Sequence, residues 1–92
     1  MPYIPQEDRP EIDKNIEPLA EVVKKGAGKY GGDYEGILNY TITKLVLLVL
    51  PERRYKHVAR ITGVLENVKQ EFYRRFAAKY EDEQIEKNGD VY

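Results

Sequence analysis

The 92-residue sequence lacks cysteine and contains one histidine, His57. Without cysteine the chain cannot form disulfides, a thiolate zinc or iron–sulfur site, or a thiol nucleophile, and one histidine excludes paired-histidine metal motifs. A metal ion would therefore have to be bound by carboxylates. Our leading prediction is no catalytic residue, no metal ligand and no cofactor, with Mg²⁺ as the cofactor of the alternative given below. A basic excess is also missing, since 15 lysines and arginines face 16 acids. Nucleic-acid binding is accordingly not expected.

Long apolar runs are scarce as well. The strongest run is Leu45–Leu50, and when it is extended back to Ile37 it covers 14 residues with polar interruptions. A bilayer-spanning helix needs roughly 20 apolar residues. The first residues show no basic region followed by an apolar stretch, so no secretory signal is expected. These absences predict a cytoplasmic protein with no membrane segment.

Helical periodicity is the main feature that the sequence does have. In the third and clearest pattern, from about Tyr55 to Tyr80, apolar residues recur at steps of three and four, which line one face of a helix. They are Val58, Ile61, Leu65, Val68, Phe72 and Phe76. The polar residues that follow continue as helix to about Lys87, where Asn88-Gly89 breaks it.

Two further helical patterns precede this one. The first, from about Pro10 to Lys25, contains Pro18, which predicts either a kink or two shorter helices, because an interior proline removes a backbone hydrogen bond. The second, from Asp33 or Tyr34 to Leu50, is apolar nearly all round, as in a central helix. A buried strand would show the same short run, but it would have no partner strand, so helix is preferred.

These patterns predict an all-α protein, a three- to four-helix bundle formed by one domain over residues 1–92. Its other parts are an extended tail at 1–9, a glycine-rich connection at 26–36 and a polar C-terminal segment at 81–92. The third helix would span on the order of 35 to 40 Å, more than the other helices can cover. We expect a second copy to cover the excess, which makes the protein a homo-oligomer, most simply a dimer.

Charge is distributed unevenly along the second half of the chain. Residues 44–79 hold nine lysines or arginines and three acids, whereas residues 80–92 hold one lysine and five acids. The opposite charges meet either in an antiparallel dimer or by the C-terminal segment folding back on its own chain. A solvated basic face followed by an acidic end is the plain structural alternative.

Acidic pairs at helical spacing raise one enzymatic alternative. All-helical nucleotide pyrophosphohydrolases bind Mg²⁺ through carboxylates spaced three or four residues apart, which lie on one helical face. The candidate pairs are Glu17 with Glu21, Asp82 with Glu86, and Glu83 with Glu86. This alternative requires at least three carboxylates to converge on one point.

Several short motifs together resemble a small family of uncharacterised microbial and phage proteins. They are Met1–Ile4 with Glu7–Arg9, Leu38–Tyr40 with Ile42 and Thr43, Gly63–Glu66, Glu71–Arg75, Tyr80–Asp82, and Asn88–Tyr92. The last of them form the C-terminal signature EFYRR…YED…NGDVY. Lys79 stands where the family has proline. The resemblance implies a standalone protein with no assigned activity, and it transfers no catalytic residue.

The same motifs draw attention to polar residues that a helical core does not require. We predict a buried carboxylate–arginine network that joins the third helix to the C-terminal segment, or a polar pocket in which Arg74 or Arg75 binds an anion. The candidate binding residues are Asn39, Glu66, Glu71, Tyr73, Arg74, Arg75, Glu81, Asp82 and Asp90. We predict that the protein functions as a non-catalytic interaction or assembly module.

Overall fold

A computed structural model describes residues 4–92. Over this range the chain is helical and contains no strand, which confirms the all-α prediction. The chain divides into two units, one that ends at Val49 and one from Leu50 to Tyr92. The first unit is a hairpin of two helices, and the second is dominated by one long helix.

Helix α1 spans Arg9–Ala27 and is continuous through Pro18. The predicted alternative of two separate helices was therefore wrong. Pro18 cannot donate one backbone hydrogen bond, but the remaining hydrogen bonds of α1 are enough to keep the helix continuous. Gln6–Asp8 form a 3₁₀ turn directly before α1. The extended tail is thus shorter than predicted, and its first three residues lie outside the described range.

The glycine-rich connection makes a tight turn into helix α2, Glu35–Val49. Gly31 and Gly32 have φ angles of 68° and 92°, a left-handed conformation that favours glycine. The Gly32 N–H donates to the Ala27 carbonyl at 3.0 Å and closes the end of α1. Because Leu45–Leu50 falls almost entirely within α2, the helical interpretation of that run is confirmed and the strand alternative was wrong.

Gly26 of α1 lies against the Ile37 side chain of α2. A Cβ atom added to Gly26 would come within 2.8 Å of Ile37 Cδ1, so glycine allows the two helices to meet there. Ala27, next to this contact, is 7% exposed and is the one buried hydrophobic residue of the described chain. The small core of the hairpin is therefore at its turn end.

The second unit contains helix α3, Tyr55–Phe72, a π-helical turn, Tyr73–Ala77, and helix α4, Ala78–Asn88. These three segments follow one another without a break, and we call them together the long helix. The Arg54 carbonyl accepts the N–H groups of His57 and Val58 at 3.0 and 3.1 Å, which starts the helix. At its end Gly89 adopts a φ of 89° and donates to the Ile85 carbonyl at 2.7 Å.

The long helix confirms one prediction and overturns another. It is the long third helix that the periodicity predicts, and it continues past Tyr80 to Asn88 as expected. The alternative in which the C-terminal segment folds back was wrong for residues 80–88, because they extend the same helix away from its basic start. Beyond the helix, Val91 and Tyr92 are exposed.

Candidate functional site

The outstanding feature of the long helix is an exposed apolar line. Residues at steps of three and four lie on one side of an α-helix, so the predicted apolar positions share a face. Phe72 and Phe76 on this face are 61% and 65% exposed, and Val58, Leu65 and Val68 are exposed as well. We call the face formed by Val58, Ile61, Leu65, Val68, Phe72 and Phe76 the apolar line.

The π-helical turn lies where the apolar line changes spacing. From Val68 onward the aromatic and apolar residues recur at steps of four, at Phe72, Phe76 and Tyr80. On an α-helix each step of four advances beyond a full turn, so repeated steps would carry the line off its face. The wider π turn absorbs this advance. Phe72 and Phe76 accordingly stack, with ring centroids 5.3 Å apart and planes at 12°.

One hydrogen bond spans the π turn. The Tyr73 hydroxyl donates to the Glu81 carboxylate, with Oη 3.0 Å from Oε1 and 3.2 Å from Oε2. Residues eight apart come into line because of the extra width of the turn. The hydrogen bond from Tyr73, assisted by the negative charge of Glu81, raises the pKa of the tyrosine hydroxyl. This contact connects two of the predicted site residues, Tyr73 and Glu81.

Other predicted site residues form local pairs along the same helix. Glu71 accepts from Arg74 and lies 3.9 Å from Arg75 Nη1. Glu66 accepts a hydrogen bond from Gln70 at 3.0 Å and lies 3.5 Å from Lys69 Nζ. The Gln70 bond and then the Lys69 charge lower the pKa of Glu66.

The remaining predicted site residues do not join these pairs. Asn39 lies in α2, where its Oδ1 accepts from Thr43 at 3.3 Å. Asp90 accepts from the Tyr92 N–H at 2.8 Å. Asp82 has no hydrogen bond or ion pair within residues 4–92.

The expectation of a buried network was wrong. No polar or charged residue of the described chain is buried, and the pairs lie on a single solvated helix. Their spacing of three, four and eight residues explains this, because such pairs form along one helix without a second element. Pairs of this kind contribute little stability because water screens them.

The hairpin carries a second apolar surface, a groove of about 640 Å³ between α1 and α2. The surface that lines this groove is mostly apolar and comes chiefly from Ile16, Leu19, Ala20, Val23, Ala27, Tyr34 and Leu38. The periodicity of α1 predicts that Ile16, Leu19 and Val23 share a face. Tyr34 and Leu38 were not predicted as partners of that face, since a hairpin contact across a glycine-rich turn leaves no periodic signal.

The candidate metal-binding carboxylates remain apart. Over residues 4–92, no three side chains among histidine, cysteine, aspartate and glutamate are placed to hold a metal ion. The pairs Asp82 with Glu86 and Glu83 with Glu86 share α4, and Glu17 with Glu21 share α1. The convergence of three carboxylates that the hydrolase alternative requires is therefore not found among the described residues.

Sequence reasoning missed the π turn. Its signal was present, because three successive steps of four, from Val68 to Tyr80, do not fit the period of 3.6 residues. An insertion of this kind often marks a functional position in a helix. Here it coincides with the stacked phenylalanines and the Tyr73–Glu81 bond.

No helix among residues 4–92 is both long and apolar enough to cross a bilayer.

Comparisons with known proteins identify the family of this chain. Neither the curated proteins nor the solved structures include a match to the sequence. A family model described as a domain of unknown function, DUF6899, covers residues 1–91, and the chain therefore belongs to the DUF6899 family.

Proposed function

We propose that this protein is a non-catalytic assembly module of the cytoplasm that acts as a homodimer. A second copy covers the apolar line of the long helix. The polar residues along the long helix border this contact and hold no substrate.

Exposure of the apolar line is the observation that carries this proposal. An amphipathic helix in water gains most of its stability from burying its apolar face, because propensity alone leaves isolated helices marginal. Phe72 and Phe76 form a stacked aromatic pair yet remain more than half exposed. Aromatic side chains that project from one face are typical of protein–protein contacts.

Helix length favours a second copy as the occupant. At 1.5 Å per residue the long helix measures about 50 Å, whereas α1 and α2 measure about 28 and 22 Å. Neither helix of the hairpin matches its length, but the same helix in another copy does. A contact between identical surfaces of this kind is the usual basis of a twofold dimer.

The test is the mass of the full chain in solution, measured by sedimentation equilibrium over a range of concentrations. We expect a reversible monomer–dimer equilibrium. Leu65→Asp places a charge in the apolar line and should raise the dissociation constant by about 30-fold or more, which corresponds to the loss of roughly 2 kcal/mol typical of an interface hot spot.

Asn67→Asp is the matched control. Asn67 is two positions from Leu65 and therefore lies on the other side of the helix, so the same added charge should leave the dissociation constant within about twofold. Circular dichroism of both variants verifies that the helix is retained. A concentration-independent monomer mass for the wild-type chain contradicts the proposal.

A second measurement addresses the hydrolase alternative directly. Thermal unfolding of the full chain is compared with and without Mg²⁺, in the presence and absence of nucleotides. Binding to the native state alone would add about 2.7 kcal/mol at a ligand concentration 100 times the dissociation constant. We expect no rise in Tm; a rise that needs both metal and nucleotide contradicts the non-catalytic assignment.

A further inference from the structure

The two ends of the long helix carry opposite charges, most of which have no partner among residues 4–92. At its start, Lys56 and Arg60 form no ion pair or side-chain hydrogen bond within the described chain, and Asp82, Glu83 and Glu86 near its end form none either. We call Lys56 and Arg60 the basic start, and we call Asp82, Glu83 and Glu86, together with Glu81, which accepts from Tyr73, the acidic end.

Charges in the middle of the same helix are arranged differently. Glu66 lies near Lys69, and Glu71 lies near Arg74 and Arg75. These pairs offset part of the charge one turn apart, but residues 61–79 hold four basic and two acidic side chains, so the middle of the helix stays weakly basic. The sign of the charge therefore changes near Tyr80: residues 55–79 are basic overall, and residues 80–88, with four acids and one lysine, are acidic.

The ends cannot neutralise each other within one helix. Arg60 and Glu83 are 23 positions apart on a continuous helix, which separates them by about 35 Å, well beyond the Debye length of about 8 Å at physiological salt. The hairpin offers no net charge to either end, because residues 9–49 contain six basic and six acidic side chains. A second long helix is the matching surface.

Orientation follows from the sign of the charges. Two parallel copies would bring acidic end to acidic end and basic start to basic start, which is repulsive at both ends. Two antiparallel copies bring each acidic end to the basic start of the other copy. Glu83 follows Tyr80 by three positions and borders the apolar line, whereas Lys56 and Arg60 are each two positions from Val58 and lie away from it, so the attraction acts between the two ends as charged regions and not through pairs within the buried face.

We propose that the long helix pairs in antiparallel orientation with the long helix of a second copy, each acidic end against the basic start of the other. This inference rests on the self-association proposed above and adds the direction of pairing. The apolar line supplies the buried contact, and the charges at its two ends select the orientation.

Reversing the charges tests the inference in the full chain. Lys56→Glu/Arg60→Glu makes both ends acidic, and Glu83→Lys/Glu86→Lys makes both ends basic. Each variant alone should dimerise about tenfold more weakly than wild type, as measured by sedimentation equilibrium. An equimolar mixture of the two should regain the wild-type affinity as a heterodimer, and the variant with all four changes should regain it as a homodimer.

Spin labels provide a measurement that does not depend on charge. The chain has no cysteine, so Tyr55→Cys, at a position that is 85% exposed, gives a single labelling site at the helix start. Pulsed electron–electron double resonance measures the distance between the two labels. It should be about 35 to 50 Å in the antiparallel dimer, whereas parallel helices would bring the labels within about 20 Å.

The outcomes separate the two proposals. A wild-type chain that remains monomeric overturns both. A dimer with labels within about 20 Å, or a dimer whose affinity is unchanged by every charge reversal, overturns the antiparallel pairing and leaves self-association standing. Long label distances together with restored affinity in the mixture support the pairing.

Discussion

The effect of replacing a helical glycine by alanine depends on which atoms lie next to it. Gly26 and Gly63 both lie in helices, where glycine is less favourable than alanine by about 1 kcal/mol. A Cβ on Gly26 meets Ile37, whereas a Cβ on Gly63 meets nothing within 4 Å. Gly63 is also nine positions from Phe72, half a turn round the helix, so it lies opposite the apolar line.

Gly63→Ala should therefore stabilise the protein. We expect the free energy of unfolding to rise by about 1 kcal/mol, and Tm by roughly 4 to 8 °C for a domain of this size, because the unfolded chain loses freedom and nothing obstructs the methyl group. Thermal unfolding followed by circular dichroism measures the change.

Gly26→Ala is the control for this prediction. It adds the same methyl group in another helix, but the methyl must displace the end of the Ile37 side chain, so its gain should be smaller than that of Gly63→Ala. A loss of stability in Gly63→Ala would mean that another backbone approaches closely on that face, contrary to the pairing described above.

At the level of elements, the π turn can be tested through Tyr73. The Glu81 carboxylate raises the pKa of Tyr73, so the bond stabilises the folded helix below the ordinary tyrosine pKa and is lost as pH rises through the raised value. Deleting Ala77 should convert the π turn into α-helix and rotate Glu81 away, since single extra residues create such turns. The pKa of Tyr73 should then fall toward its ordinary value.

Carbon-13 tyrosine NMR over an alkaline titration measures this pKa individually. Glu81→Ala should lower it in the same way as the deletion, whereas Asp82→Ala, one position further, should leave it raised. A Tyr73 pKa that is unchanged by both the deletion and Glu81→Ala would mean that the bond across the π turn does not form in solution.

Sequence periodicity predicts the elements of this chain better than their interruptions. Steps of three and four identify the long helix, and Asn88-Gly89 marks its end correctly, because both signals act within a few residues. Pro18 misled the prediction, since a helix can lose one hydrogen bond and continue. The candidate site was less predictable: side-chain types suggested a buried network, but burial depends on contacts between elements, and most of these pairs form within one turn of helix.

For the whole molecule, salt should distinguish charge-selected pairing from apolar contact alone. Between 0.1 and 1 M ionic strength the Debye length falls from about 10 to 3 Å, so attraction between the acidic end and the basic start is screened. Dimerisation of the wild-type chain should therefore weaken in sodium chloride. The loss of affinity should be limited to about two- to tenfold, because the contact between the apolar lines is not screened. Sedimentation equilibrium at several salt concentrations measures it.

The matched control is the variant with all four charge changes, which should show the same salt dependence, while each two-change variant should dimerise better as salt rises. Wild-type dimerisation that is constant or tighter in salt would contradict attraction between the ends.

The segment between Val49 and Tyr55 is open to cleavage by a protease. It is not helical, and it contains Arg53 and Arg54, both exposed. Trypsin cleaves after arginine and requires an unfolded stretch of backbone, so this segment is a natural site for a single nick. The cut separates the hairpin from the long helix without entering either, and with no cysteine in the chain no disulfide can join the fragments. Whether the two fragments then elute together reports how strongly the halves of the protein adhere.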